Sequence, residues 1–122
     1  SMPSLLRAYE LSTRAAQVGF DWATTGDVID KVEEEIRELR EAVTTTGASS
    51  REAEEEFGDL LFALVNVARK LRIEPEAALR MANDKFQRRF DDVERQAAAS
   101  GHKLRDHTLE QLENYWQQAK TR

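Results

Sequence analysis

The chain has no cysteine, so no disulfide framework can staple it and no thiolate can hold zinc. It has two prolines and five glycines among 122 residues, and alanine, leucine, glutamate and arginine dominate, a helix-forming composition. It has no basic excess. The net charge of −5 argues against a general nucleic-acid binder, so no DNA or RNA partner is expected. No apolar run approaches the ~20 residues of a membrane span, and the start of the chain lacks a signal-peptide pattern. Absence of cysteine is compatible with the cytoplasm, the expected location. The opening Ser-Met resembles a tag remnant before an initiator methionine, and Ser1 is left out of the reading.

What is present is charge and helical period. The sequence is 34% charged and 40% hydrophobic, and its length fits one domain over 1–122. Five helices and no strand are expected. The first runs roughly over 3–18 and is ended by Gly19. The second begins near 24–27, where Thr24 and Asp27 offer caps. Its stripe is Val28, Val32, Ile36, Leu39 and Val43, at helical spacing. Residues 44–50 (TTTGASS) read as a loop, and Ser49 with Glu52 as a capping box. The third helix runs to about residue 72, with a face of Phe57, Leu60, Leu61, Leu64, Ala68 and Leu71 that reads as buried. Pro75 opens the fourth, whose stripe is Leu79, Ala82, Phe86, Phe90 and Val93. Gly101 ends it. Thr108 with Gln111 caps the fifth, which carries Leu109, Leu112, Tyr115, Trp116 and Ala119. Such stripes must pack together, giving an all-α helical bundle. The third helix is too apolar for a small monomer to cover, so homo-oligomerisation is expected to complete the bundle.

The segment EEEFGDLLFALVNVA, 54–68, carries the functional argument. Only Asp59 and Asn66 interrupt the apolar run from Phe57, and a carboxylate removed from water needs a cation. Glu56 and Asp59 are three apart on this helix, as are Glu35 and Glu38 on the preceding one. Two packed helices can therefore aim two acid pairs at one point. Carboxylates that close raise one another's pKa unless cations intervene. Oxygen-only ligands favour a hard ion, Mg²⁺ or Mn²⁺. Glutamate-rich helix faces are ordinarily solvated, and Glu33, Glu34, Glu41, Glu52, Glu54 and Glu55 read that way. A di-iron bundle needs Glu-x-x-His pairs, and the only histidines, His102 and His107, lie in a loop.

On the fourth helix Lys85 and Arg89 are four apart, as are Trp116 and Lys120 on the fifth. Cations beside an aromatic suit a polyphosphate joined to a base.

The segments KVEEEIREL (31–39) and EEEFGDLLFALVNVARKL (54–71) resemble the E-E-x-x-E … E-x-x-D signature of MazG nucleoside triphosphate pyrophosphohydrolases. The signature is also shared with all-α dUTPases and phosphoribosyl-ATP pyrophosphohydrolases. GFDW (19–22), ANDKFQRRF (82–90) and YWQQAK (115–120) extend the likeness to MazG proper, in particular to the catalytic carboxyl-terminal domain of two-domain bacterial members. The resemblance implies Mg²⁺-dependent hydrolysis of a nucleoside triphosphate between the α and β phosphates by a homodimer or higher oligomer. It implies Glu35, Glu38, Glu56 and Asp59 as metal ligands, with Glu34 and Glu55 as auxiliary acids. It further implies Lys85 and Arg89 on the phosphates, and Trp116 and Lys120 completing the nucleotide site. Glu35 and Glu38 are the candidates to take the proton from the attacking water. The alternatives are a dUTPase- or dCTPase-like house-cleaning enzyme and a non-enzymatic self-association module.

Overall fold

A computed structural model describes residues 2–122; Ser1 lies outside them. Five α-helices and one 3-10 turn occur in the order α1 (Ser4–Gln17), α2 (Thr25–Thr46), α3 (Arg51–Lys70), α4 (Pro75–Ala99), the turn Leu104–Asp106 and α5 (Leu109–Lys120). No strand is present among the described residues, as the all-α expectation requires. The chain divides into two compact units, one ending at Ala78 and one running Leu79–Arg122.

In the first unit α2 and α3 pack along each other and α1 lies against α3. Their ends follow local chemistry. Thr24 accepts from the Asp27 backbone N–H while the Asp27 side chain accepts from that of Thr24, so two otherwise unpaired donors are satisfied reciprocally. The helix then outruns expectation, continuing through Thr46 instead of yielding a loop at Thr44. The hydroxyls of Thr44, Thr45 and Thr46 donate to the carbonyls of Arg40, Glu41 and Ala42 at 2.8, 2.9 and 2.6 Å, so three poor helix formers fold back onto the helix. Gly47, at φ 98°, stops it. The cap of α3 is Ser50, accepting from Ala53 N–H at 3.1 Å, not the expected Ser49–Glu52 box. Glu74 caps α4 by accepting from the backbone N–H of Glu76 and Ala77, and Pro75 sits at the first helical position as expected.

The core is smaller than the stripes suggest. Val28, Ala53, Ala63 and Val65 are buried in this unit. Phe57, Leu61, Leu64 and Leu71, expected on a buried face of α3, are 40–51% exposed. Ile36 and Val43 of the α2 stripe are exposed as well.

Asn66, the amide interrupting the α3 run, is buried and fully employed. Its Nδ2 donates to the Phe62 carbonyl at 3.0 Å and its Oδ1 accepts from Arg69 Nη2 at 3.0 Å. Arg69 in turn grips Asp21, with Nη1 donating to Oδ2 at 3.0 Å. Lys70 pairs with the same carboxylate at 2.9 Å and donates to the Trp22 carbonyl. The hydrogen bond from Arg69, with help from Lys70 and against the cost of desolvation, holds the Asp21 carboxyl well below its ordinary range. This network ties the connection before α2 to the end of α3, so the two helices run antiparallel.

The second unit is a hairpin of α4 and α5. Val93, Ala97 and Ala119 are its buried apolar residues. Gln96 Nε2 donates to the Tyr115 carbonyl at 3.2 Å and joins the two helices. Thr108 and Gln111 form the expected capping box.

Candidate metal and nucleotide site

Midway along the α2–α3 pair, Glu35 and Glu38 meet Glu56. One carboxylate oxygen from each lies within 4.8 Å of the other two. The three-residue spacing on α2 puts Glu35 and Glu38 on adjacent flanks, and the antiparallel crossing of α3 brings Glu56 between them.

Glu35 is the buried member, 3% exposed. Lys31, one turn back, pairs with its Oε1 at 3.0 Å and also reaches Glu34 at 3.6 Å. The hydrogen bond to Glu35 raises the Lys31 pKa. Glu35 Oε2 and Glu56 Oε2 are both buried and receive no hydrogen bond. Glu56 is pushed up to about 7, first by its hydrogen bond with Glu38, then by desolvation and by the charges of Glu38 and Glu35. A proton thus does part of what a cation would do. Orphaned buried carboxylate oxygens, all-oxygen donors and mutual repulsion fit a hard divalent ion, whose ligands sit at about 2.1 Å in the case of Mg²⁺.

Asp59 differs from expectation. It is exposed on α3, so it needs no buried counter-cation, and it is not among the three acids that converge. The acid that does need a partner is Glu35, whose place on the edge of the α2 stripe gave no sign of its burial. Glu34 shares Lys31 with Glu35, and Glu55 pairs with Arg51 at 3.4 Å on the surface.

In the second unit Lys85, Arg89 and Lys120 line one pocket of about 340 Å³. Trp116 is half-buried, its ring centroid 5.3 Å from that of Phe86, with the Arg89 guanidinium over its face at 5.9 Å. The four expected substrate residues therefore gather in one hairpin. Sequence reasoning missed Asp92. It is a buried acid whose partners lie 3, 4 and 30 residues along the chain, and only the first two spacings are visible as helical neighbours.

A carboxylate trio between antiparallel helices in one unit, and a basic pocket on a helical hairpin in the other, are features of an all-α protein suited to hold a cation and an anion. The MazG nucleotide pyrophosphohydrolase domain matches residues 24–94, and the chain belongs to that family. It is 49% identical over 120 residues to the nucleoside triphosphate pyrophosphohydrolase of Escherichia coli K12, covering 98% of this chain and 46% of that protein. It is 44% identical over 119 residues to the Thermotoga maritima nucleoside triphosphate pyrophosphohydrolase/pyrophosphatase MazG, covering 98% and 45%. A Bacillus subtilis protein, the uncharacterized YabN, is 57% identical over 65 residues, 53% of this chain and 13% of that one. The chain spans about half the length of the first two relatives.

Proposed function

We propose that this chain is a catalytic domain that hydrolyses nucleoside triphosphates between the α and β phosphates, releasing monophosphate and pyrophosphate with Mg²⁺ as cofactor and Mn²⁺ as substitute. The convergence of Glu35, Glu38 and Glu56, with two buried oxygens that receive no hydrogen bond, carries the reading. The names of the relatives support it. Both units serve the reaction as one domain.

A bound divalent cation supplies neutralisation of the triphosphate and an acidified water. Glu35, Glu38 and Glu56 would hold it through their carboxylate oxygens, with Asp59, one turn after Glu56 on α3, as the further ligand the family resemblance implies. Lys31 pairs with Glu35 at 3.0 Å, and Glu34 and Glu55 add negative charge around the site. Glu38, the partly covered acid on α2, accepts the proton of the attacking water. Lys85, Arg89 and Lys120 hold the phosphates through charge-assisted bonds, and Trp116 offers a ring face to the base.

We also propose that the apolar face of α2 and α3 is covered by a second copy. Ile29, Ile36 and Val43 recur every seven residues at 39–43% exposure, and Phe57, Leu61, Leu64 and Leu71 flank them on α3. Contiguous exposed apolar side chains of this kind mark an interaction surface.

The test is a panel of nucleoside triphosphates with Mg²⁺, scored for monophosphate and pyrophosphate. Glu38→Gln is expected to lose at least ~100-fold in turnover while keeping its helical signal. Full activity in that variant, or release of orthophosphate in place of pyrophosphate by the unaltered protein, defeats the reading.

A further inference from the structure

The basic pocket of the second unit holds more than the three cations expected there. Six cationic side chains line its roughly 340 Å³: Lys85, Arg89 and Lys120, joined by Arg88, Arg95 and Arg122. One acid faces them, Asp92, itself 7% exposed. Its Oδ1 accepts from Arg122 Nη1 at 2.8 Å and from Arg95 Nη2 at 3.3 Å. Its Oδ2 accepts from Gln96 Nε2 at 3.0 Å, and the same amide donates to the Tyr115 carbonyl, so the acid is fixed to the junction of α4 and α5. So many like charges around one small pocket repel one another unless an anion joins them.

Arg122 is placed differently from the other arginines. It is anchored across the hairpin by a buried carboxylate, through one nitrogen of its fork. The remaining donors of that planar fork are free to meet a second oxyanion, a geometry that arginine can serve and lysine cannot. We infer that Arg122 is a further phosphate-binding residue of the nucleotide site, and that Asp92 is the positioning residue that holds it. The inference rests on the hydrolase reading for the identity of the anion as a polyphosphate.

The experiment is titration of the whole chain with inorganic pyrophosphate in metal-free buffer, which leaves the carboxylate trio out of the measurement. Arg122→Ala is expected to weaken binding about tenfold, the value of one charge-assisted contact. Arg122→Lys is expected to fall within about twofold of Arg122→Ala, since it keeps the charge and loses the fork. Asp92→Asn is expected to weaken binding in the unaltered background and to have no further effect in Arg122→Ala, because it acts through Arg122. With nucleoside triphosphate, Arg122→Ala raises KM. Binding by Arg122→Lys equal to the unaltered protein overturns the bridging role, as does an Asp92→Asn loss of equal size in both backgrounds. Arg122-dependent pyrophosphate binding without turnover of any triphosphate upholds this inference and rejects the hydrolase reading instead.

Discussion

Lowering the pH from 8 to 6 should weaken Mg²⁺ binding about tenfold, because Glu56 must surrender a proton to become a ligand. Glu38 and Glu35 hold that proton in place up to about pH 7. At pH 6 only about one molecule in ten carries Glu56 ionised, and at pH 8 about nine in ten do. The apparent affinity should therefore be flat above pH 8 and fall with a slope approaching tenfold per unit below pH 7. Calorimetric titration in buffers of different ionisation enthalpy counts the protons: close to one released per ion at pH 6 and close to none at pH 8. Glu56→Gln should abolish the slope. The metal-free protein must behave in the opposite sense. A carboxyl whose folded pKa lies above its ordinary 4.5 contributes stability fully present below pH 4.5 and lost as pH rises through about 7. Thermal melts in EDTA should show that decline, and saturating Mg²⁺ should remove it. A Mg²⁺ affinity that stays within twofold between pH 6 and 8, or a Glu56→Gln protein that keeps the slope, refutes the shared-proton account.

Asp21→Asn should cost about 2 kcal/mol, between the values for exposed and for buried ion pairs, or about 8 °C in Tm for a chain of this size. Because the Asp21 pKa is depressed, the gap to the unaltered protein should persist from pH 7 to 5 and close only as pH falls below about 4. Melts at three pH values check it. Arg72 sits at φ 59° between α3 and α4, so Arg72→Gly should stabilise by about 1 kcal/mol, measured by urea unfolding. Leu64→Glu, at a position 46% exposed on α3, should leave the helical signal unchanged and lower the sedimentation mass to that of one copy.

Most of the fold was legible because it rests on local rules. The helical periods, Pro75, Gly101 and the Thr108–Gln111 box each point to one structure within a few residues. The extension of α2 through Thr44–Thr46 was not, since threonine is read as a loop or cap former until its hydroxyl is seen folded back onto a carbonyl. The 3-10 turn at Leu104–Asp106 has no periodic pattern to betray it. Burial was the larger error. Period tells which residues share a face, not whether that face is covered, so Phe57, Leu61 and Leu64 read as core and are exposed. The same gap reversed the two acids: Asp59 looked buried because its neighbours are apolar, and Glu35 looked peripheral because its neighbours are charged. The acid pairs themselves were legible from their three-residue spacing. Asp21 with Arg69, and Asp92 with Arg122, were not, because partners 48 and 30 residues apart leave no local trace.

The grip of Arg69 and Lys70 on Asp21 and Trp22 has a consequence for proteolysis. Phe20 stands 81% exposed and Val18 83% exposed in that connection, an inviting target for a chymotrypsin-like protease. Cleavage requires the backbone to be drawn out into a protease cleft, which means breaking the clasp on Asp21 and Trp22 immediately after the aromatic. Nicking there should therefore report the fraying of α3's last turn, and the start of α2 should come loose in the same event.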